Sequence, residues 1–248
     1  MGNDLRQMKT CIIRQPAGLG DIFFIQKIAK NLLNIGRSDQ IIWPVIREYN
    51  YLKDYMIGEN ILYVNEEESF PFKDVYMKDP QEIIDTPELL YLPIQHADRF
   101  IDNCPIMQRK YKFVNIPYDD WKKFFDYKRN FDRENYLISY LNLNIDEPFN
   151  LINSNFGSKN YAYLKHKIDI KINNGFRNIV MEYLDFDNIF DWTGILEKAF
   201  EIHTVDTAWC YLLEKMGKQK VTVYSRIKNE NFFSYVRGIF NMEWIYIL

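Results

Sequence analysis

Gln15-Pro-Ala-Gly-Leu-Gly-Asp21 is the stretch on which the fold turns. The residues before it, Thr10-Cys-Ile-Ile-Arg14, are apolar and β-branched and read as a short buried strand. Beyond it, Ile22, Ile25, Ile28, Ala29, Leu32 and Leu33 keep helical spacing, and Gly36 supplies a stop. A strand that runs through a glycine turn into a helix opens an α/β unit. Glycine lacks a Cβ, so Gly18 and Gly20 let backbone approach a ligand. The helix start adds unpaired N–H groups and the positive end of the helix dipole. The dinucleotide fingerprint also asks for a third small residue where Phe23 and Phe24 stand, and for an acid after the second strand that this chain lacks. A nicotinamide cofactor is therefore disfavoured. Asp21 at the helix mouth reads either as a plain cap or as a functional carboxylate.

Outward from the loop, Ile41-Ile-Trp-Pro-Val45 is the next strand, with Pro44 marking its end or an edge. Residues 49–56 read as a helix and Ile61-Leu-Tyr-Val64 as a third strand. Alternating strands and helices imply a parallel sheet with right-handed crossovers. Residues 89–94 are a further strand, and 121–127 and 134–141 are helical. A second α/β set follows, with strands at 149–153, 178–183, 201–205 and 221–224. Its helices are 192–200, 207–216 with Gly217 closing it, and 231–240. The seam falls between 127 and 148, which gives two lobes, residues 8–130 and 131–248.

The 248 residues carry a net charge of −3, too little basic field to gather nucleic acid non-specifically. Nucleic acid is not favoured as a partner, although a local basic groove stays open. Cys11, Cys104 and Cys210 are odd in number and far apart, so no disulfide framework is expected. With three scattered histidines as well, no metal site and no cofactor are expected. No apolar run reaches the roughly 20 residues that span a bilayer, and the expectation is a cytoplasmic protein.

Three further stretches carry chemistry. Glu201-Ile-His-Thr-Val-Asp-Thr207 runs from a strand end into a helix, where Thr204, Asp206 and Thr207 either cap the helix or bind a phosphate. Asn153-Ser-Asn-Phe-Gly-Ser-Lys159 is a polar loop after a strand; Asn155 and Lys159 suit a phosphate, and an ordinary turn suits the same residues. Glu182 sits at a strand end, where a carboxylate can accept both hydroxyls of a ribose. Asp185-Phe-Asp187 after it is formally a metal-binding DxD of one class of sugar transferases, a triplet that chance also produces.

Together the Gly18-Leu-Gly-Asp-Ile22 loop and the Thr204-Val-Asp-Thr207 helix start, with Gly217 at the end of that helix, resemble a GT-B glycosyltransferase. The likeness is to the ADP-heptosyltransferase type (family 9) and its shorter viral and bacterial relatives. The resemblance implies two Rossmann-like lobes with a cleft between them, small for the class. It implies transfer of a sugar from a nucleotide-sugar to an acceptor glycan or other hydroxyl, inverting and without a metal. Carried over, Asp21 is the general base on the acceptor-side loop of Gly18 and Gly20. Thr204, Asp206 and Thr207 flank the donor phosphates, and Glu182 matches the ribose-binding carboxylate. Asn155 and Lys159 of the polar loop join the donor side on their own chemistry, not through the resemblance. Bulky Trp209 departs from the small residues the family has there. A non-catalytic nucleotide-binding or assembly protein, a metal-dependent transferase and a phage-type DNA-base glycosyltransferase are the competing readings.

Overall fold

A computed structural model of the chain describes residues 8–102, 104–156, 166–182, 184, 186–226, 236 and 238–248. Its contacts divide into two compact units between Lys128 and Arg129.

The first unit is built around β1 (Thr10–Ile13), buried along its whole length. It pairs in parallel with β2 (Gln40–Val45) on one side, Cys11 opposite Ile41, and with β5 (Leu89–Leu92) on the other, Ile12 opposite Tyr91. Beyond β2 lies β3 (Ile61–Asn65), also parallel, and beyond β5 the short antiparallel β4 (Ile84–Asp85). The order is β3-β2-β1-β5-β4. Strands buried on both faces are continuous apolar runs, which is why they are legible. One face holds Ile12, Ile42 and Tyr91 against Phe70 and Tyr76, the last from α4 (Lys73–Lys78).

Several local expectations need correction. The helix after the glycine loop is broken at Ile25 into α1 (Leu19–Phe24) and α2 (Gln26–Asn34). At the break the Gln26 side chain donates to the Ile22 carbonyl at 2.9 Å and accepts the Tyr63 hydroxyl at 2.9 Å. β2 is an interior strand, so of the two expectations for Pro44 it is the strand's end that holds and not an edge. Ile41 donates to Asn60 on the β3 side, so the alternate Pro44 turns its nitrogen towards β1, past the last β1–β2 pair, Ile12 with Ile42. No ladder bond is lost there. Residues 49–56 hold only α3 (Leu52–Tyr55) after a 3-10 turn, and 121–127 only a 3-10 turn, Trp121–Lys123. A helix the sequence did not announce, α5 (Ile106–Phe113), docks on α1 through the Tyr111 hydroxyl, which donates to the Phe24 carbonyl.

The second unit begins with α6 (Phe131–Tyr140). It is pinned by Arg129 on the buried Glu134 and by Arg133 on the buried Asp191 at 2.7 Å. Its sheet is wholly parallel. β6 (Phe149–Asn153) lies between β9 (Arg177–Val180) and β10 (Glu201–Val205), and β11 (Val221–Tyr224) and β12 (Ile245–Ile247) extend it beyond β10. Numbered along the chain the order is 2-1-3-4-5, the flavodoxin-like winding. β7 (Asn155–Phe156) and β8 (His166–Lys167) form a separate antiparallel pair.

The connections β9 to β10, through α7 (Thr193–Lys198), and β10 to β11, through α8 (Ala208–Met216), cross the sheet in one direction. The right-handed rule puts both on one face, where Leu151, Ile202 and Val223 are buried. Only β6 to β9 crosses the other way, and among the described residues it contains no helix. The face it leaves carries Asn150, His203 and Thr222, with Ile245 and Ile247 exposed at its margin. Asn150 there bonds Asn174 and Asn178, each at 2.8 Å, and Asn174 reaches Glu201 at 3.0 Å. The helix expected at 231–240 lies largely outside the described residues.

Candidate functional site

In an open α/β sheet, ligands bind outside the carboxyl ends of the strands where the winding reverses. In the first unit that point is between β1 and β5, and the glycine loop leaves from it. Gly18 has φ +78°, and a Cβ added to it would collide with Asp21 Oδ2. The sequence assigned both glycines to the approach of a ligand; the structure gives Gly18 a different need, the left-handed backbone and the room for Asp21. Gly20 is an ordinary residue of α1 without positive φ. Asp21 is partly exposed and forms an ion pair at 3.1 Å with Lys110, whose side chain is buried. Lys110 also donates to Gln15 Oε1 at 2.6 Å. On the other flank Arg14 stacks over the Tyr76 ring at 4.1 Å and pairs with Asp79 at 2.6 Å, and Asp79 meets His96 Nε2 at 3.0 Å.

In the second unit the reversal lies between β6 and β10, and four predicted residues gather at that edge. The Thr204 hydroxyl is fully buried and committed inside the sheet, accepting from Asn153 at 3.1 Å and donating to the Val205 carbonyl at 3.0 Å. Asp206 is buried and accepts from Arg226, from its backbone N–H at 2.8 Å and its Nε at 3.1 Å. Burial pushes the Asp206 carboxyl above the usual range, opposed by the Arg226 charge. Thr207 is the N-cap of α8, yet its side chain makes no capping bond. Its hydroxyl is buried without a hydrogen-bond partner among the described residues. Asn155 donates to the Met181 carbonyl at 3.2 Å, which ties the exits of β6 and β9 and puts it next to the exposed Glu182.

Lys159 and Asp185 lie outside the described residues. Asp187 accepts the Trp192 indole N–H at 2.6 Å. Among the described residues no group of three His, Cys, Asp or Glu could hold a metal ion, and no helix is long and apolar enough to cross a membrane.

Sequence reading missed three residues. Ser154, directly after β6, is buried and its hydroxyl has no partner among the described residues. Arg226 brings a cation to the β11 exit. Lys110 stands beside Asp21. Ser154 lay within a quoted motif; nothing local marks the other two. At one sheet edge the second site thus presents two hydroxyls without a partner among the described residues, the N-terminus of a nine-residue helix, and a guanidinium paired with Asp206. Such a set suits an anion.

No family model and no curated protein matches the chain. Solved structures do. The glycosyl transferase family 9 protein from Veillonella parvula aligns over 97% of this chain and 87% of that chain, with a TM-score of 0.54 at 9% identity. Heptosyltransferase WaaC from E. coli, solved with ADP, aligns over 97% of this chain and 93% of its own, with a TM-score of 0.47 at 8% identity. TibC, a dodecameric iron-containing glycosyltransferase of enterotoxigenic E. coli, aligns over 89% of this chain and 59% of its own, with a TM-score of 0.44 at 7% identity. At these identities the likeness is one of fold. The Veillonella protein carries it: the chain is an α/β protein of 248 residues with two five-stranded sheets and the GT-B type of architecture.

Proposed function

We propose that the chain is a glycosyltransferase that moves a sugar from a nucleotide-sugar donor to an acceptor hydroxyl. One observation carries the donor half: Ser154 and Thr207, at the exits of the two strands that flank the winding reversal, each bury a hydroxyl that nothing described satisfies. A buried polar group left unpaired costs about 1–3 kcal/mol, so a protein that keeps two at one sheet edge has a use for them. A diphosphate supplies the missing acceptors. The start of α8 offers it backbone N–H groups, and Arg226 offers charge. Thr204 and Asp206 shape this edge from within, through Asn153 and Arg226, and do not touch the phosphates. Glu182 accepts the ribose hydroxyls, Asn155 holds the adjoining backbone, and Lys159 adds charge.

In this reading the leaving diphosphate is stabilised by helix dipole, hydroxyls and fixed cations, without a metal. The acceptor oxygen attacks the anomeric carbon, the bond to the diphosphate breaks, and Asp21 takes the acceptor proton. Attack opposite the leaving group inverts the anomeric centre. The fold shared with a family 9 transferase supports the reading but does not select sugar, nucleotide or acceptor.

The test is a thermal-shift panel of nucleotide-sugars and nucleoside diphosphates, followed by donor hydrolysis and transfer assays. A true donor raises the melting temperature with its concentration. If no nucleotide shifts the protein, the donor site is wrong. A shift without hydrolysis or transfer identifies a binding protein instead.

A further inference from the structure

We infer that Lys110 is a positioning residue for Asp21, and that this buried ammonium sets which edge of the carboxylate faces outward. The inference rests on the reading of Asp21 as the proton acceptor. It starts from an imbalance across the ion pair: the Lys110 side chain is 8% exposed and that of Asp21 31%. The cation is therefore part of the protein interior, and the anion is at its surface. A buried ammonium needs a counter-charge and filled acceptors. Among the described residues it donates to Gln15 Oε1 at 2.6 Å, and its counter-charge is Asp21, with Oδ1 at 3.1 Å.

Each neighbour is itself fixed. Gln15 donates its amide to the Ala17 carbonyl at 2.6 Å, which turns its oxygen towards Lys110, and its backbone carbonyl accepts the Trp43 indole N–H at 3.1 Å. Lys110 is held by α5, where Met107 and Tyr111 are buried on the same side. The carboxylate is confined from two directions: the Lys110 charge lies beside Oδ1, and the space taken by Oδ2 is open only because Gly18 has no Cβ. Neither a neutral partner nor a residue with a Cβ at position 18 would hold it so.

One consequence bears on the obvious test of the base. Asp21→Asn removes the counter-charge of a buried lysine as well as the carboxylate, so its loss of activity mixes chemistry with damage to the fold. The experiment is a double-mutant cycle of Asp21→Asn and Lys110→Met, with Lys110→Arg as the conservative variant. Unfolding midpoints are read first, then kcat and KM for donor wherever a donor has been found. Asp21→Asn is expected to lower the midpoint, and adding Lys110→Met to recover at least half of that loss. With a donor, Lys110→Met is expected to lower kcat at least tenfold with donor KM unchanged, and Lys110→Arg to restore part of it.

Additive effects on the midpoint overturn the inference whether or not the protein turns a donor over. So does a parental kcat in Lys110→Met. If Lys110→Met alone fails to fold while the double variant folds, the coupling is confirmed. If the midpoints couple and no donor is ever turned over, the Lys110–Asp21 pair is structural only, and the transferase reading fails with the role of Asp21 in it.

Discussion

Gly18 and Asp21 are joined by sterics before any chemistry is considered. The left-handed backbone at Gly18 costs an L-residue about 1–2 kcal/mol, and the added Cβ would strike the Asp21 carboxylate. Gly18→Ala is therefore expected to lose about that much stability in urea unfolding and to cut transfer by displacing Asp21. Unchanged stability would mean that the loop does not hold this conformation. His203 makes a second prediction at this scale. It is buried, its Nε2 lies 3.4 Å from Glu201, and its Nδ1 lies 3.4 Å from the Tyr224 hydroxyl. Burial lowers its pKa from the ordinary 6.5 in spite of the Glu201 charge. The unfolded chain thus takes up a proton at higher pH than the folded one, and stability rises with pH between the two values. The contribution is complete above 6.5 and is lost as pH falls through the folded value. Melting temperatures measured downward from pH 6.5 should fall faster in the parent than in His203→Gln. Parallel curves would refute this.

At the scale of elements, α8 shows how a cap can be withheld. Thr207 occupies the N-cap with an extended backbone and keeps its hydroxyl free of the helix. Thr207→Val keeps the shape and removes the unpaired group. It is expected to leave stability unchanged or raise it by up to about 1 kcal/mol, while abolishing most of the thermal shift given by a nucleoside diphosphate. Lower stability with full binding would show a structural hydroxyl instead. The same edge explains what sequence could tell. The three interior strands of the first sheet were legible as near-continuous apolar runs, and the three of the second from apolar residues interspersed with Asn150, His203 and Thr222. The Thr207 helix start was legible from its hydroxyls and Gly217. Which of Thr204, Asp206 and Thr207 is free was not legible, because that depends on Asn153 and Arg226 arriving from other strands. α5 escaped notice for a related reason. Ile106-Met-Gln-Arg-Lys-Tyr-Lys-Phe113 buries a lysine, which breaks its apolar pattern, and the partner that permits this lies at Asp21.

At the scale of the molecule, two sheets of different winding each present a polar edge where their strand order reverses, and the net charge of −3 gives no general attraction for an anion. Selection between the two edges must then be local. The first edge spends its cations internally, Lys110 on Asp21 and Arg14 on Asp79. The second pairs Arg226 with Asp206 in the same way, but among the described residues it keeps two hydroxyls without a partner beside a helix start. A nucleoside diphosphate should therefore slow amide hydrogen exchange at the exits of β6, β9 and β10, in peptides covering residues 153–156, 181–182 and 204–210. Exchange in residues 15–22 should be unchanged by the diphosphate alone. At a hundredfold excess over its dissociation constant the ligand stabilises the folded chain by about 2.7 kcal/mol, enough to register in those peptides. Protection confined to residues 15–22 would move the phosphates to the first unit and return the glycine loop to the role of a phosphate cradle. Asp21 would then be badly placed as a base, because its carboxylate would repel the ligand that the loop held.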